Sequence, residues 1–250
     1  MKRHIYIISL LQLFLVVLCL ATACSERVED VPEGWLHVSR PSMEPAQKVR
    51  VASETVDIDY LVSITRGNVT VMEPVRFSSI TGSIPLSSSS GYKLLAESCS
   101  KAEAESQPTL YGQPRYAGSS LPFSIEPNTH TTVDVYCTMA NAAFCVVKDQ
   151  SFYYQEFEVT ASVGSRTLTF NNETQVGYFN VGESGTAELQ YKVRAVDSEG
   201  RVGRGEGKIT LMSRNLSKLC MKATPKGYVD VTITYDDTFT PEETDIFIGE

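Results

Sequence analysis

Apolar and polar residues alternate one for one along much of this chain. Leu189, Tyr191, Val193 and Ala195 alternate with Glu188, Gln190, Lys192 and Arg194, the pattern of a strand with one buried and one solvated face. Val229, Val231, Ile233 and Tyr235 alternate with Asp230, Thr232 and Thr234 in the same way. Phe157, Val159, Ala161 and Val163 run up to Gly164-Ser165, a hairpin turn from which Leu168 and Phe170 return. Val133, Val135 and Cys137 alternate with Asp134 and Tyr136, and Tyr60, Val62 and Ile64 lead into the turn Arg66-Gly67-Asn68. Asp197-Ser198-Glu199-Gly200 closes one strand and opens the next. Helical periodicity is scarce, and Lys101–Glu105 and Ser213–Met221 are the candidates for short helices. Short strands punctuated by Gly, Pro, Ser and Asn predict an all-β protein of antiparallel sandwiches rather than a parallel α/β sheet. A boundary near Lys148-Asp149-Gln150-Ser151 divides the body into two consecutive β-sandwiches, 34–149 and 150–250, with one large sandwich as the alternative.

The first residues break this pattern. Met1-Lys2-Arg3-His4 is basic, and an apolar run follows from Ile5 to Leu20, short for a membrane span but long enough for the core of a signal peptide. Small residues Ala21-Thr22-Ala23 precede Cys24. Apolar core, small residues and then cysteine resemble a bacterial lipobox. That reading makes 1–23 a lipoprotein signal peptide and Cys24 the site of lipidation, with palmitate among the acyl groups. Acyl chains gain about 0.8 kcal/mol per buried CH₂, so two or three of them hold a protein firmly on a bilayer. The polar, acidic stretch Ser25–Glu33 then reads as a tether, so that 24–33 is lipidated cysteine plus flexible spacer.

Charge and cysteine content sharpen the picture. The 250 residues carry 22 basic and 30 acidic side chains, net −8; removing 1–23 takes away Lys2 and Arg3 and no acid, leaving net −10. Such a balance excludes a nucleic-acid partner, which needs a basic face. Cys19 leaves with the leader, so Cys99, Cys137, Cys145 and Cys220 remain as candidate disulfide partners in an exported compartment. Cys99 and Cys137 could bridge within the first half. Buried free thiols acting as small apolar residues are the equal alternative.

Several short motifs carry a family resemblance by their order. Gly34-Trp35-Leu36-His37-Val38 opens the body, and Asp59-Tyr60-Leu61-Val62-Ser63-Ile64 and Gly91-Tyr92-Lys93-Leu94-Leu95-Ala96-Glu97 follow. Pro114-Arg115-Tyr116-Ala117-Gly118, Phe123-Ser124-Ile125-Glu126, Val135–Asn141 and Gly177-Tyr178-Phe179 come after them. Together they resemble the Bacteroidota lipoproteins grouped as a domain of unknown function allied to the fimbrillin-like proteins. The acidic run after Cys24 also resembles the surface-export signal of Bacteroidota lipoproteins. These resemblances imply transthyretin-like (fimbrillin-like) β-sandwiches, outer-membrane localisation with surface display, and a role in cell adhesion or fimbria-like assembly.

Catalytic patterns fail on inspection. Gly203-Arg204-Gly205-Glu206-Gly207-Lys208 misses the spacing of a phosphate loop and reads as a flexible hairpin. Only His37 and His130 remain after the leader, without cysteines at ligand spacing, so no metal is expected. Asp57, Asp59 and the pair Asp236-Asp237 read as solvated carboxylates rather than an acid/base pair. The sequence thus predicts no enzyme and no cofactor. It predicts a lipoprotein whose partners are the membrane, through its anchor, and other fimbrial subunits. The alternative is a glycan-binding lipoprotein of polysaccharide uptake, with Trp35, Tyr111 and Tyr116 as candidate ligand-facing aromatics. The final segment, Thr244–Glu250, is strand-like and either completes its own domain or is offered to a partner.

Overall fold

The computed structural model describes residues 31–43, 58–223 and 229–236; the leader, Cys24, Asp57, Asp237 and the final segment lie outside these residues. The chain runs through β1 (Glu33–Val38), β2 (Ser42–Met43), β3 (Leu61–Arg66), β4 (Val69–Arg76), β5 (Ile84–Ser87) and β6 (Ser89–Glu97). A short helix, α1 (Lys101–Ser106), precedes β7 (Tyr116–Ser119), β8 (Phe123–Ile125), β9 (His130–Val133) and β10 (Tyr136–Met139). There follow β11 (Asn141–Lys148), β12 (Glu156–Val163), β13 (Arg166–Phe170), β14 (Val176–Asn180), β15 (Thr186–Val196), β16 (Val202–Met212), β17 (Leu216–Ala223) and β18 (Val229–Asp236).

These strands form four sheets. The first has the order β5-β1-β9; the second, β2-β10-β7-β6-β3-β4 with β8 added to β6. The third is β14-β11-β17-β18 and the fourth β13-β12-β15-β16. Most neighbours are antiparallel, as alternation and tight turns demand, but β1/β9, β2/β10 and β11/β17 are parallel. The expected strand through Val133, Val135 and Cys137 is broken at Asp134–Val135, and the break passes the chain from the first sheet to the second.

Two hydrophobic cores result. The first gathers Leu36, Val62, Ile64, Tyr92, Leu94, Ile125, Cys137 and Met139. The second gathers Phe144, Val159, Phe170, Phe179, Leu189, Leu211, Leu219 and Met221 between the third and fourth sheets. The third sheet belongs to both, because Ala143, Cys145, Tyr178 and Leu216 on its other face pack into the first core. Its strand β11 is therefore buried on both faces, from Asn141 through Val146. A strand in that position reads as a continuous apolar run without period two, which is why Ala142-Ala143-Phe144-Cys145-Val146-Val147 stands apart from the alternating strands. A boundary near residue 149 leaves β11 in the first half of the sequence, whereas its hydrogen-bonded neighbours β14 and β17 both come from the second.

Local chemistry explains two short segments. Lys101–Ser106 is helical, as its sequence suggests, because Ser100 and Glu103 form a reciprocal cap: the Ser100 hydroxyl accepts from the Glu103 N–H (3.2 Å) and the Glu103 carboxylate from the Ser100 N–H (2.8 Å). The helix expected over Ser213–Met221 is instead a short turn followed by β17. Leu219 and Met221 face the second core while Leu216 faces the first, and tertiary burial outweighs the weak helical pattern.

Because β11 serves both cores, Phe144→Ala is expected to lower the unfolding free energy by about 3–5 kcal/mol. The denaturation midpoint reported by Trp35 fluorescence, from the first half, should move together with that reported by far-UV circular dichroism. A Trp35 midpoint that stays in place would mean that the two cores unfold independently.

Candidate functional site

The residues singled out by the sequence are not gathered into one place. Tyr116 is 6% exposed and packs in the first core, with its N–H donating to Ser98 Oγ. Tyr111 lies edge-on against Phe170, and its hydroxyl donates to the Thr169 carbonyl while accepting from Gln175 Nε2. Tyr116 is thus a core ring, while half-buried Tyr111 is held in place by its contacts with β13 and the segment before β14. Trp35 differs. It projects from the solvated face of the β5-β1-β9 sheet, stacked on His130 with ring centroids 5.2 Å apart and planes 20° from parallel.

The register assembles this face. Trp35 stands opposite Pro85 on β5 and opposite His130 on β9, so three ring-bearing side chains lie in a row across three strands. Glu33, Ser87, His37 and Thr132 flank the row, all exposed. Leu36, Leu86 and Val133 point the other way and hold the sheet on the first core. A solvated sheet face ordinarily carries isolated polar side chains. Here its centre is a stacked Trp35–His130 pair beside Pro85, with hydrogen-bonding groups at its rim.

The segment from α1 to β7 is a second constellation, and sequence reasoning missed it. It crosses from the first half to the edge of β14. Asn180 N–H donates to Glu105 Oε1 (2.8 Å), Tyr178 N–H to the Tyr111 carbonyl (2.8 Å) and Asn180 Nδ2 to the Lys101 carbonyl (2.9 Å). Arg166 on β13 clamps the segment through the carbonyls of Glu105, Leu110 and Tyr178, with its guanidinium over the Phe179 ring at 5.6 Å. Burial depresses the Arg166 pKa, against the opposing pull of Glu105. Fully buried Asn141 completes the junction, accepting from the Arg115 N–H (3.0 Å) and donating to the Gln113 carbonyl (2.8 Å). No local motif marks these contacts, since they join residues far apart in sequence.

The four cysteines are free thiols. Cys137 directs its sulfur at the Ala96 carbonyl, and Cys99 sits past the end of β6 beside Ser98. Cys145 is paired with Lys218, and Cys220 with Val147, two positions further along. The Cys99–Cys137 bridge considered from the sequence is not formed, and all four behave as small apolar groups. Burial pushes the Cys137 thiol up to about 12 and the Cys145 thiol to about 11.

The remaining candidates serve the scaffold. Gly203-Arg204-Gly205-Glu206-Gly207-Lys208 is regular strand within β16, not a flexible hairpin. Its glycines admit close neighbours: a Cβ at Gly203 would lie 2.3 Å from the Tyr154 hydroxyl, and one at Gly207 2.5 Å from that of Tyr191. Asp59 accepts from the Ser78 N–H and hydroxyl, which hold its carboxyl below the usual range. Asp236 pairs with Lys218 at 2.9 Å. Among the described residues, no three His, Cys, Asp or Glu side chains converge as a metal site, and no helix is long and apolar enough to cross a membrane.

The family model described as "Domain of unknown function (DUF4493)" matches residues 33–249. No curated protein matches the chain. Among solved structures it is similar to the fimbrial anchor protein Mfa2 from Porphyromonas gingivalis, at 13% identity over 81% of this chain and 97% of that one, with a TM-score of 0.44. It is also similar to a fimbrial assembly protein from Parabacteroides distasonis ATCC 8503, at 8% identity over 82% of this chain and 98% of that one, with a TM-score of 0.41.

The buried thiols predict a pH dependence. Their folded-state pKa values lie above the ordinary value of 9.0, so the folded chain retains protons that the unfolded chain releases. Their stabilising contribution is whole below pH 9 and is lost as pH rises through 11 to 12. Alkaline denaturation should therefore begin at higher pH in Cys137→Ala/Cys145→Ala than its reduced neutral-pH stability would suggest. At pH 8, Cys137 and Cys145 should resist a thiol-specific reagent until denaturant is added.

Proposed function

The chain belongs to the family described as "Domain of unknown function (DUF4493)", and from that premise we propose that it is a non-enzymatic, surface-displayed lipoprotein of cell adhesion or fimbria-like assembly. In this reading acylated Cys24 anchors it in the outer membrane, the acidic stretch to Glu33 spaces it from the bilayer, and the two-core body presents its sheets to a partner such as another fimbrial subunit. The observation that carries the reading is positional. An apolar run ending in Ala21-Thr22-Ala23-Cys24 stands directly ahead of the tether, and the first core residue, Leu36, follows the tether at once.

The experiment is metabolic labelling with palmitate, combined with protease accessibility on intact cells and a count of cells adhering to a coated surface. The wild-type chain should take up label and be cleaved from outside. Cys24→Ala should lose the label and reduce adherence. Label retained by Cys24→Ala would overturn the anchor, while unchanged adherence in a strain lacking the gene would overturn the adhesive role.

The Trp35 face favours a second reading, a glycan-binding lipoprotein of polysaccharide uptake. A stacked aromatic pair rimmed by Glu33, Ser87 and Thr132 offers an apolar surface and hydrogen-bonding groups to a sugar ring. Since Trp35 is the chain's single tryptophan, its fluorescence reports this face directly. Titration with oligosaccharides should change the emission saturably, and His130→Ala should weaken the response. A flat titration across host and plant glycans at millimolar concentration would rule this reading out.

A further inference from the structure

We propose that the open edge of β16 is a self-complementary interface, on which a second copy of this chain adds its own β16 antiparallel to make one sheet across a two-fold axis. In the fourth sheet, β16 pairs with β15 over its whole length, without a register shift, and among the described residues no strand pairs with its other side.

The direction of its free backbone groups follows from the bonds at its two ends. Asp197 N–H donates to the Arg201 carbonyl and Ser213 N–H to the Gly185 carbonyl. In an antiparallel ladder this sense alternates along the strand. The odd-numbered residues of β16 therefore turn their N–H and C=O groups toward β15, and the even-numbered ones, Val202 to Met212, turn theirs outward. The Tyr235 hydroxyl, which reaches the Thr210 carbonyl at 3.4 Å, fits that parity and is a long contact that an incoming strand would replace.

The even-numbered side chains also face solvent, and their order is complementary to itself. The full-length two-fold register is centred on Gly207. It sets Glu206 against Lys208, Arg204 against Thr210 and Val202 against Met212, each twice. No like charges oppose one another in this register. Val202 and Met212, which are 39% and 36% exposed, cover each other at both ends. Moving the axis to Glu206 would set Glu206 against itself and Arg204 against Lys208, so charge selects the centred register.

Two of the other edges carry devices that discourage such pairing. Strand β4 contains Pro74 and two register shifts against β3, and the edge of β14 is occupied by the segment from α1 to β7. The edge of β16 has neither a proline nor a bulge.

The test is sedimentation equilibrium on the chain from Ser25 onward. This form keeps the residues of both cores, since the first begins at Leu36 and the second at Ala142. The wild-type chain should dimerise between micromolar and submillimolar concentration. Glu206→Pro removes an outward N–H and no bond to β15, so it should leave the circular dichroism unchanged and the chain monomeric. Glu206→Lys should weaken the dimer by about tenfold, and the exchange Glu206→Lys/Lys208→Glu should restore it. A wild-type chain that stays monomeric throughout, or a Glu206→Pro variant that dimerises as well as wild type, overturns the proposal. So does a monomer that dimerises only when the chain is ended at Asp236, because its own last residues would then be the occupant of the edge.

Discussion

The double burial of β11 is the constraint on which the rest of the structure depends. Every N–H and C=O of a strand with apolar residues on both faces must find a partner within its sheet, because water reaches neither side. β14 supplies those partners along one edge and β17 along the other, in antiparallel and parallel sense respectively. The faces are then fixed by alternation, with Ala142, Phe144 and Val146 in the second core and Ala143 and Cys145 in the first. A register slip of one residue would exchange these sets and drive Phe144 into the space that Ala143 fills. The small residues are as necessary as the large one, since they let the first half approach the sheet closely.

The polar junction follows from the same arrangement. A sheet covered on both faces still has an edge, and β14 would present unpaired N–H groups there beside two apolar cores. The segment from α1 to β7 meets that need with a carboxylate and backbone carbonyls, and Arg166 in turn satisfies the carbonyls left over. A buried guanidinium is costly unless its donors are used. Here carbonyls from both halves use them, so the cation acts as a joint more than as an ion pair: the nearest carboxylate, Glu105, is 4.0 Å away.

The one-sided strands were legible because their environment is written in their alternation. β12, β13, β15 and β18 lie where Phe157–Val163, Leu168–Phe170, Leu189–Ala195 and Val229–Tyr235 placed them. β11 was not legible in this way, since burial on both faces erases period two. β17 resembled a helix for the related reason that Leu216 and Leu219 face different cores. The Gly203–Lys208 run suggested looseness from composition alone, whereas the space above its glycines is filled by Tyr154 and Tyr191, residues remote in sequence. Of the three aromatics picked for ligand contact, only Trp35 projects from a solvated face. A tyrosine at a strand position looks the same in sequence whether it points inward, as Tyr116 does, or outward.

The two surfaces that stand out physically lie on different halves, and the proposed anchor separates their roles. Trp35 is only eleven residues beyond Cys24, so a fully extended tether holds its face within about 40 Å of the attachment point. The edge of β16 belongs to the fourth sheet, built wholly from residues from Glu156 onward. Contacts made there leave Trp35, His130 and Pro85 untouched. Because β11 joins the two cores without a hinge of loose chain, a load taken by one half passes to the other through packed side chains rather than through a linker. The proposed role, adhesion or assembly from a tether at one end, requires that mechanical continuity between contact surfaces and anchor.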